Sequence, residues 1–414
     1  MKFLSTILLF SILIFTNCNK KNISTEPKPI KLTEKTSELV KAGNKFGFEL
    51  LKKTVQQNEE NKNLMISPLS VNLCMTMAYN GAESSTKAAF DSVFYFDNFS
   101  RKEVDNSFKE LTDALFDVDK QVAFEIANSI WIHNELNVKK SFINTNQNYL
   151  DAEVKIIDFN DQNNVKIINN WVKTKTHNKI SKIIDQLNPN ELMALINAIY
   201  FNGTWRYNFK KSNTYKENFH KTDGTVTQVD MMSSHKSSSL YGYYSDDNLK
   251  LLEMPYGRGN FTMVIILPDE NKNLNELITE LTPEKWNQWL NQSYEINNIA
   301  VKIPKFEFHY KLSLINILKM LGLEEAFSDN ADFSGITDDT FLKINRVIHK
   351  TYIKTDEKGT EAAAVTYVGI VTTSIDEDQL EFVADRPFFF AIREKYTGSI
   401  IFTGIVNDPN QHEE

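Results

Sequence analysis

The sequence predicts an α+β protein organised around a large mixed β-sheet. Three observations lead there. Apolar residues recur at helical spacing through the first third, strand-like runs become frequent afterwards, and residues 40–410 contain no internal repeat, low-complexity block or Pro/Gly-rich linker. In chain order, amphipathic patterns predict helices over 41–56, 68–80, 86–94 and 103–116. Runs of β-branched, aromatic and aliphatic residues then predict strands over 122–132, 193–201, 251–254, 261–267, 299–308, 388–393 and 399–406.

Composition narrows the function classes. The 414 residues are 41% hydrophobic and 24% charged, as expected for a globular chain. A chain this long buries enough surface to fold without disulfide staples. Lys and Arg number 46 against 54 Asp and Glu, and a net charge of −8 argues against nucleic-acid binding, which needs a basic face. The same imbalance, with no dense Lys/Arg cluster on any predicted helix, argues against a heparin-type activator. Two cysteines, Cys18 and Cys74, make neither a disulfide framework nor a Cys-x-x-Cys pair. Cys74 sits among apolar positions at helical spacing (Val71, Leu73, Met75, Met77, Ala78) and reads as a core residue.

The chain begins Met1-Lys2, and residues 3–15 are apolar except for Ser5, Thr6 and Ser11. That run is shorter than the roughly twenty residues a membrane-spanning helix needs and fits the apolar region of a secretory signal. It closes on Phe15-Thr16-Asn17-Cys18, which resembles the lipobox of bacterial lipoproteins, although Asn17 stands where a small residue is usual. The resemblance implies a signal peptide over 1–17, lipid on Cys18 and an extracytoplasmic protein held at a bacterial membrane. An ordinary signal peptide with an incidental cysteine is the alternative. Residues 18–36 are polar, with Lys20, Lys21, Pro27 and Pro29, and read as a flexible tether.

Catalytic signatures are missing. The sequence has no Gly-x-Ser-x-Gly, His-Glu-x-x-His or phosphate-loop motif, and no two of its seven histidines have ligand spacing. Gly257-Arg258-Gly259 lacks a third glycine and reads as a turn between strands. His349, in Ile344-Asn345-Arg346-Val347-Ile348-His349, reads as a buried structural histidine. Neither an enzyme activity nor a cofactor or metal is expected.

Four stretches carry a family resemblance. They are Asn63-Leu64-Met65-Ile66-Ser67-Pro68-Leu69-Ser70 leading to Asn80-Gly81-Ala82; Leu195-Ile196-Asn197-Ala198-Ile199-Tyr200-Phe201-Asn202-Gly203-Thr204-Trp205; Asp356-Glu357-Lys358-Gly359-Thr360-Glu361-Ala362-Ala363-Ala364; and Ala384-Asp385-Arg386-Pro387-Phe388-Phe389-Phe390-Ala391-Ile392 followed by Phe402-Thr403-Gly404. In this order and spacing the chain resembles the serpin family over residues 37–410. The resemblance implies one serpin domain: helices around a large central mixed sheet, two smaller sheets, and an exposed reactive-centre loop over about 357–386. Ser67, Ser70, Asn197 and His349 match the polar cluster where the main sheet opens. Trp205 matches the aromatic at the top of that sheet, and Glu357 the hinge carboxylate with Lys305 as its ion-pair partner. In Thr176-His177-Asn178-Lys179-Ile180, Asn178 replaces a common Gly, and Asn tolerates the left-handed backbone.

The implied activity is suicide inhibition: a protease cleaves the loop, the loop's N-terminal part inserts into the main sheet, and the acyl-enzyme is trapped as a covalent complex with a monomeric inhibitor. Strand geometry tests the hinge, because residues 360, 362, 364 and 366 share one face on insertion. They are Thr360, Ala362, Ala364 and Thr366, all small and uncharged, alternating with Glu361, Ala363, Val365 and Tyr367. A charge or proline on the buried face would oppose insertion. Gly359 gives the hinge freedom to swing. A non-inhibitory carrier or chaperone-like serpin is the alternative. In the family the cleaved bond lies about seventeen residues beyond the hinge glutamate, which here gives Thr373-Ser374, with Val371 and Thr372 as alternatives. No Lys or Arg lies between Glu361 and Arg386, so elastase-like or subtilisin-like proteases fit better than trypsin-like ones, and papain-like cysteine proteases stay open.

Overall fold

The computed structural model describes residues 26–58, 60–116, 118–234, 239–338, 342–360 and 380–412. Its helices are α1 (Glu34–Gln56), α2 (Pro68–Tyr79), α3 (Ser84–Phe94), α4 (Arg101–Phe116), α5 (Lys140–Leu150), α6 (Asn164–Lys175), α7 (Leu274–Thr279), α8 (Pro283–Gln292) and α9 (Ile315–Met320). The four helices expected from periodicity are all present. α5 to α9 are additional: α6 buries only Ile168 and Val172, and α7 and α9 have six residues each, too short for a helical period to show.

Strands among the described residues form three sheets. The mixed sheet has the order β12 (Phe306–Ser313), β13 (Arg346–Asp356), β14 (Gly359–Thr360), β4 (Met193–Thr204), β2 (Val122–His133), β3 (Glu153–Ile157). β13–β4 and β2–β3 are parallel, and the other neighbours are antiparallel. A seven-stranded antiparallel sheet runs β1 (Leu64–Ile66), β17 (Ile400–Val406), β16 (Phe388–Glu394), β9 (Phe261–Pro268), β8 (Leu249–Pro255), β7 (Tyr241–Ser245), β10 (Tyr294–Ile296). The third sheet is β15 (Leu380–Val383), β11 (Ile299–Pro304), β6 (Val226–Ser234), β5 (Thr214–His220). The mixed sheet holds the longest strands, with 12 residues each in β2 and β4 and 11 in β13.

α2 packs between the mixed and seven-stranded sheets, against β4, β2 and β17, and every one of its residues is buried, Cys74 included. Its N-terminus is capped by Ser67, whose Oγ accepts from the Ser70 N–H, and Pro68 occupies the first turn, where a missing N–H costs nothing. The other face of the mixed sheet is covered by α6 and the segment after it, through Ala127, Trp131, Ile180, Ile183, Ala194, Ile196 and Ile348. The turn after α6 is left-handed at both His177 (φ 49°) and Asn178 (φ 66°), as the Asn at 178 allows.

Two expectations are corrected. The single strand expected over 299–308 is two strands in different sheets, because Pro304 cannot donate to a ladder and the chain changes sheet at Lys305. The flexible tether expected over 18–36 does not extend that far: residues 26–33 lie against the body and α1 starts at Glu34.

Candidate functional site: the opening of the mixed sheet

Parallel pairing of β13 with β4 covers only part of their length, residues 346–350 against 194–198. Beyond it the strands part, and β14 is wedged between their ends. Gly359 stands opposite Thr204 and Asp356, and Thr360 opposite Gly203 and Thr355. Among the described residues, no strand pairs with the facing sides of 199–202 of β4 and 351–354 of β13, which leaves a gap below the wedge. Gly359 (φ 153°) is required there: a Cβ would come within 2.0 Å of the Gly203 carbonyl oxygen.

At the closed end of the gap the side chains of Ser67, Ser70, Asn197 and His349 meet, all fully buried. His349 Nε2 accepts from the Ser67 N–H at 3.0 Å, so Nδ1 carries the proton and donates to Asn197 Oδ1 at 2.7 Å. Asn197 Nδ2 donates to Ser70 and, at 2.8 Å, to Asn128 Oδ1. Ser67 Oγ donates to the Ile401 carbonyl at 2.6 Å, tying the cluster to β17. Burial pushes the His349 pKa down to about 3. The ring is neutral and surrounded by fixed partners, an arrangement for holding two strands together and unsuited to acid–base catalysis.

At the open end, Trp205 touches both lips. Its backbone N–H donates to the Lys358 carbonyl at 2.8 Å and its Nε1 to the Asp356 carbonyl at 3.0 Å, and its ring stacks on Tyr256 at 4.4 Å. The Tyr256 hydroxyl bonds Thr360 Oγ1 at 2.6 Å, and burial raises its pKa. Lys305 lies 3.2 Å from Glu357, as expected, and Thr214 Oγ1 donates to the same carboxylate at 2.9 Å. Burial pushes the Glu357 carboxyl upward, but hydrogen bonds from the backbone, Thr214 and Lys305 outweigh it and hold the carboxyl below its ordinary range.

Of the residues expected from the sequence, these two ends bring together Ser67, Ser70, Asn197, His349, Trp205, Lys305, Glu357, Gly359 and Thr360. Ala362, Ala363, Ala364, Thr366, Val371, Thr372, Thr373, Ser374 and Cys18 lie outside the described residues. Tyr256, Thr214 and Asn128 belong to the site and escaped sequence reasoning, since each meets its partner across 69 or more residues of chain. Cys74 is buried, its thiol pushed up to about 12 by burial, and takes no part. Among the described residues no acidic/His/Cys group could hold a metal, and no helix is long and apolar enough to cross a membrane.

Comparison with known proteins agrees with this architecture. The family profile for serpin (serine protease inhibitor) matches residues 41–409. The chain belongs to the serpin family. An uncharacterized serpin-like protein of the archaeon Methanosarcina mazei is 33% identical over 96% of this chain and 95% of its own length. Iripin-2 of Ixodes ricinus is 35% identical over 90% and 94%. Among solved structures, the thermophilic serpin tengpin in its native state superposes with a TM-score of 0.83 at 31% identity, covering 92% of this chain and 97% of tengpin. Human thyroxine-binding globulin with its ligand gives the same TM-score at 28% identity, covering 91% and 100%.

Proposed function

We propose that this serpin is an inhibitor that captures endopeptidases as a suicide substrate. The observation that carries the reading is the wedge of Gly359 and Thr360, already in antiparallel register with both lips of the gap. Serpin loop insertion is itself a standing example of strand addition to a sheet. Continued without a register shift, residue 362 would stand between Phe201 and Ile353, 364 between Ile199 and Thr351, and 366 between Asn197 and His349. Residue 370 would reach Met193, the far end of β4, leaving Thr373 three residues beyond. The small residues at 360, 362, 364 and 366 would face the side where Tyr256 and the polar cluster lie.

In the chemical step the protease's serine oxygen adds to the Thr373 carbonyl. The Thr373–Ser374 C–N bond breaks, Ser374 leaves as a new amino terminus with the proton taken from that serine, and Thr373 remains as the ester. Insertion then moves the ester along the sheet before water can hydrolyse it. The absence of Lys and Arg from 362–385 favours elastase-like or subtilisin-like targets. The test is incubation with pancreatic elastase, read on a denaturing gel and by mass spectrometry. An SDS-resistant complex and a C-terminal fragment beginning near Ser374 are expected; clean turnover without a complex favours a non-inhibitory role.

Residues 1–18 support a second part of the reading, an extracytoplasmic lipoprotein anchored through Cys18. Native protein should partition into detergent and carry acyl mass on its first peptide, and Cys18→Ser should abolish both.

A further inference from the structure

The N-terminal segment over residues 26–33 does more than lead into α1. Its centre is gripped by one side chain: Asn260 Oδ1 accepts from the Lys28 N–H and Asn260 Nδ2 donates to the Lys28 carbonyl, both at 2.8 Å, reproducing the two bonds of a β-bridge. Asn260 is fully buried, and its Nδ2 also donates to Glu394, likewise fully buried, so the grip is rigid. One end of the segment is held by arginines, with Arg258 Nε donating to the Glu26 carbonyl at 2.8 Å and Arg206 3.4 Å from the Glu26 carboxylate. The other end is tied to α4, where Glu110 accepts from the Thr33 N–H and hydroxyl, and Ile30 and Leu32 pack on the main core.

What the segment grips is the turn beside the gap. Tyr256, at the start of that turn, stacks on Trp205 and bonds Thr360; the Gly257 N–H donates to the Thr204 carbonyl at the tip of β4; and Arg206 Nη1 donates to the Arg258 carbonyl. Admitting a full strand between β13 and β4 must widen their separation by about 4.8 Å where they now pair. The tip of β4 is one lip of that opening, and it is fastened through the turn to the segment.

We infer that residues 26–33 are an intramolecular strap that keeps the sheet from opening until the loop is cut, so that loosening the strap lets the uncleaved loop insert. This inference rests on the insertion chemistry proposed above. The discriminating variant is Lys28→Pro in the full chain. It deletes one N–H, leaves the body untouched, and suits an extended stretch already flanked by Pro27 and Pro29. Lys28→Ala, which keeps the N–H, is the control. Intact proteins are incubated and sampled for the fraction that has become resistant to urea unfolding, with elastase-cleaved wild type as the reference. Lys28→Pro should convert roughly fivefold faster than wild type and Lys28→Ala at the wild-type rate, as expected for one hydrogen bond present in the ground state and broken at the transition state. Equal rates for the two variants, or a lower unfolding midpoint with no resistant fraction, overturn the strap. If cleaved wild type itself gains no resistance, the insertion reading fails first, and the two failures are told apart.

Discussion

His349 donates to Asn197 and accepts from Ser67, and both bonds require the neutral ring. Its pKa near 3 in the native protein lies below the ordinary value of 6.5, so the unfolded chain binds this proton more readily than the folded one. The contribution to stability is complete above pH 6.5 and is lost as pH falls from there towards 3, by about 1.4 kcal/mol per pH unit. Urea midpoints measured between pH 7 and 4 should fall less steeply for His349→Gln than for wild type. Parallel slopes would show that another group carries the acid sensitivity. Thr360 is 2% exposed, with its hydroxyl bonded to Tyr256 and facing Thr355. Thr360→Arg puts a charge where no partner and no space exist, so the variant should still be cleaved but should yield little or no SDS-stable complex. Undiminished complex formation would mean that a charge on the face of residue 360 does not oppose insertion of the rest of the loop. The Lys305–Glu357 pair should matter less. Lys305 is one-third exposed, so Lys305→Ala should cost no more than about 1 kcal/mol in a denaturant titration.

The elements show where sequence reading stops. α2 and β4 were legible because dense apolar runs mark them, and the polar residues they carry (Ser67, Ser70, Asn197) stand out against that background. β5 was not: Phe219 is its only fully buried residue, and such a strand gives little alternation to read. The hinge ion pair could be placed from motif order, but Thr214 as the third partner of Glu357 could not, since a contact across 143 residues leaves no local pattern. Local composition also misled at the N-terminus, where Pro and Lys suggest a solvated tether while Asn260, on a distant turn, satisfies the backbone of Lys28. The unpaired stretch between β13 and β4 makes a prediction at this scale. After loop cleavage, gap-facing amides among residues 199–202 and 351–354 should exchange with deuterium at least tenfold more slowly, because an inserted strand supplies their missing partners. Unchanged exchange would mean that the gap stays empty.

At the scale of the whole molecule, the described strands β13 and β4 part between two sets of contacts, a buried hydrogen-bond cluster below and the Trp205–Tyr256 stack above, to which the proposed strap is fastened. A protein built this way should become more stable when it is cut. The unfolding midpoint of elastase-cleaved chain should exceed that of intact chain by 10 °C or more, a shift of roughly 8 kcal/mol or above for a chain of this size. A lower midpoint after cleavage would rule out a sheet that gains a strand.

The docked strap also sets a distance. From Cys18, where acylation is proposed, to Glu26, held by Arg206 and Arg258, there are eight residues, which extend at most ~28 Å. A lipid on Cys18 would therefore keep the loop-receiving end of the sheet within that reach of the bilayer. Travel of a captured protease along β4 would carry it away from the tethered end of the sheet, so the anchor and the trapped enzyme would sit at opposite ends of the strand.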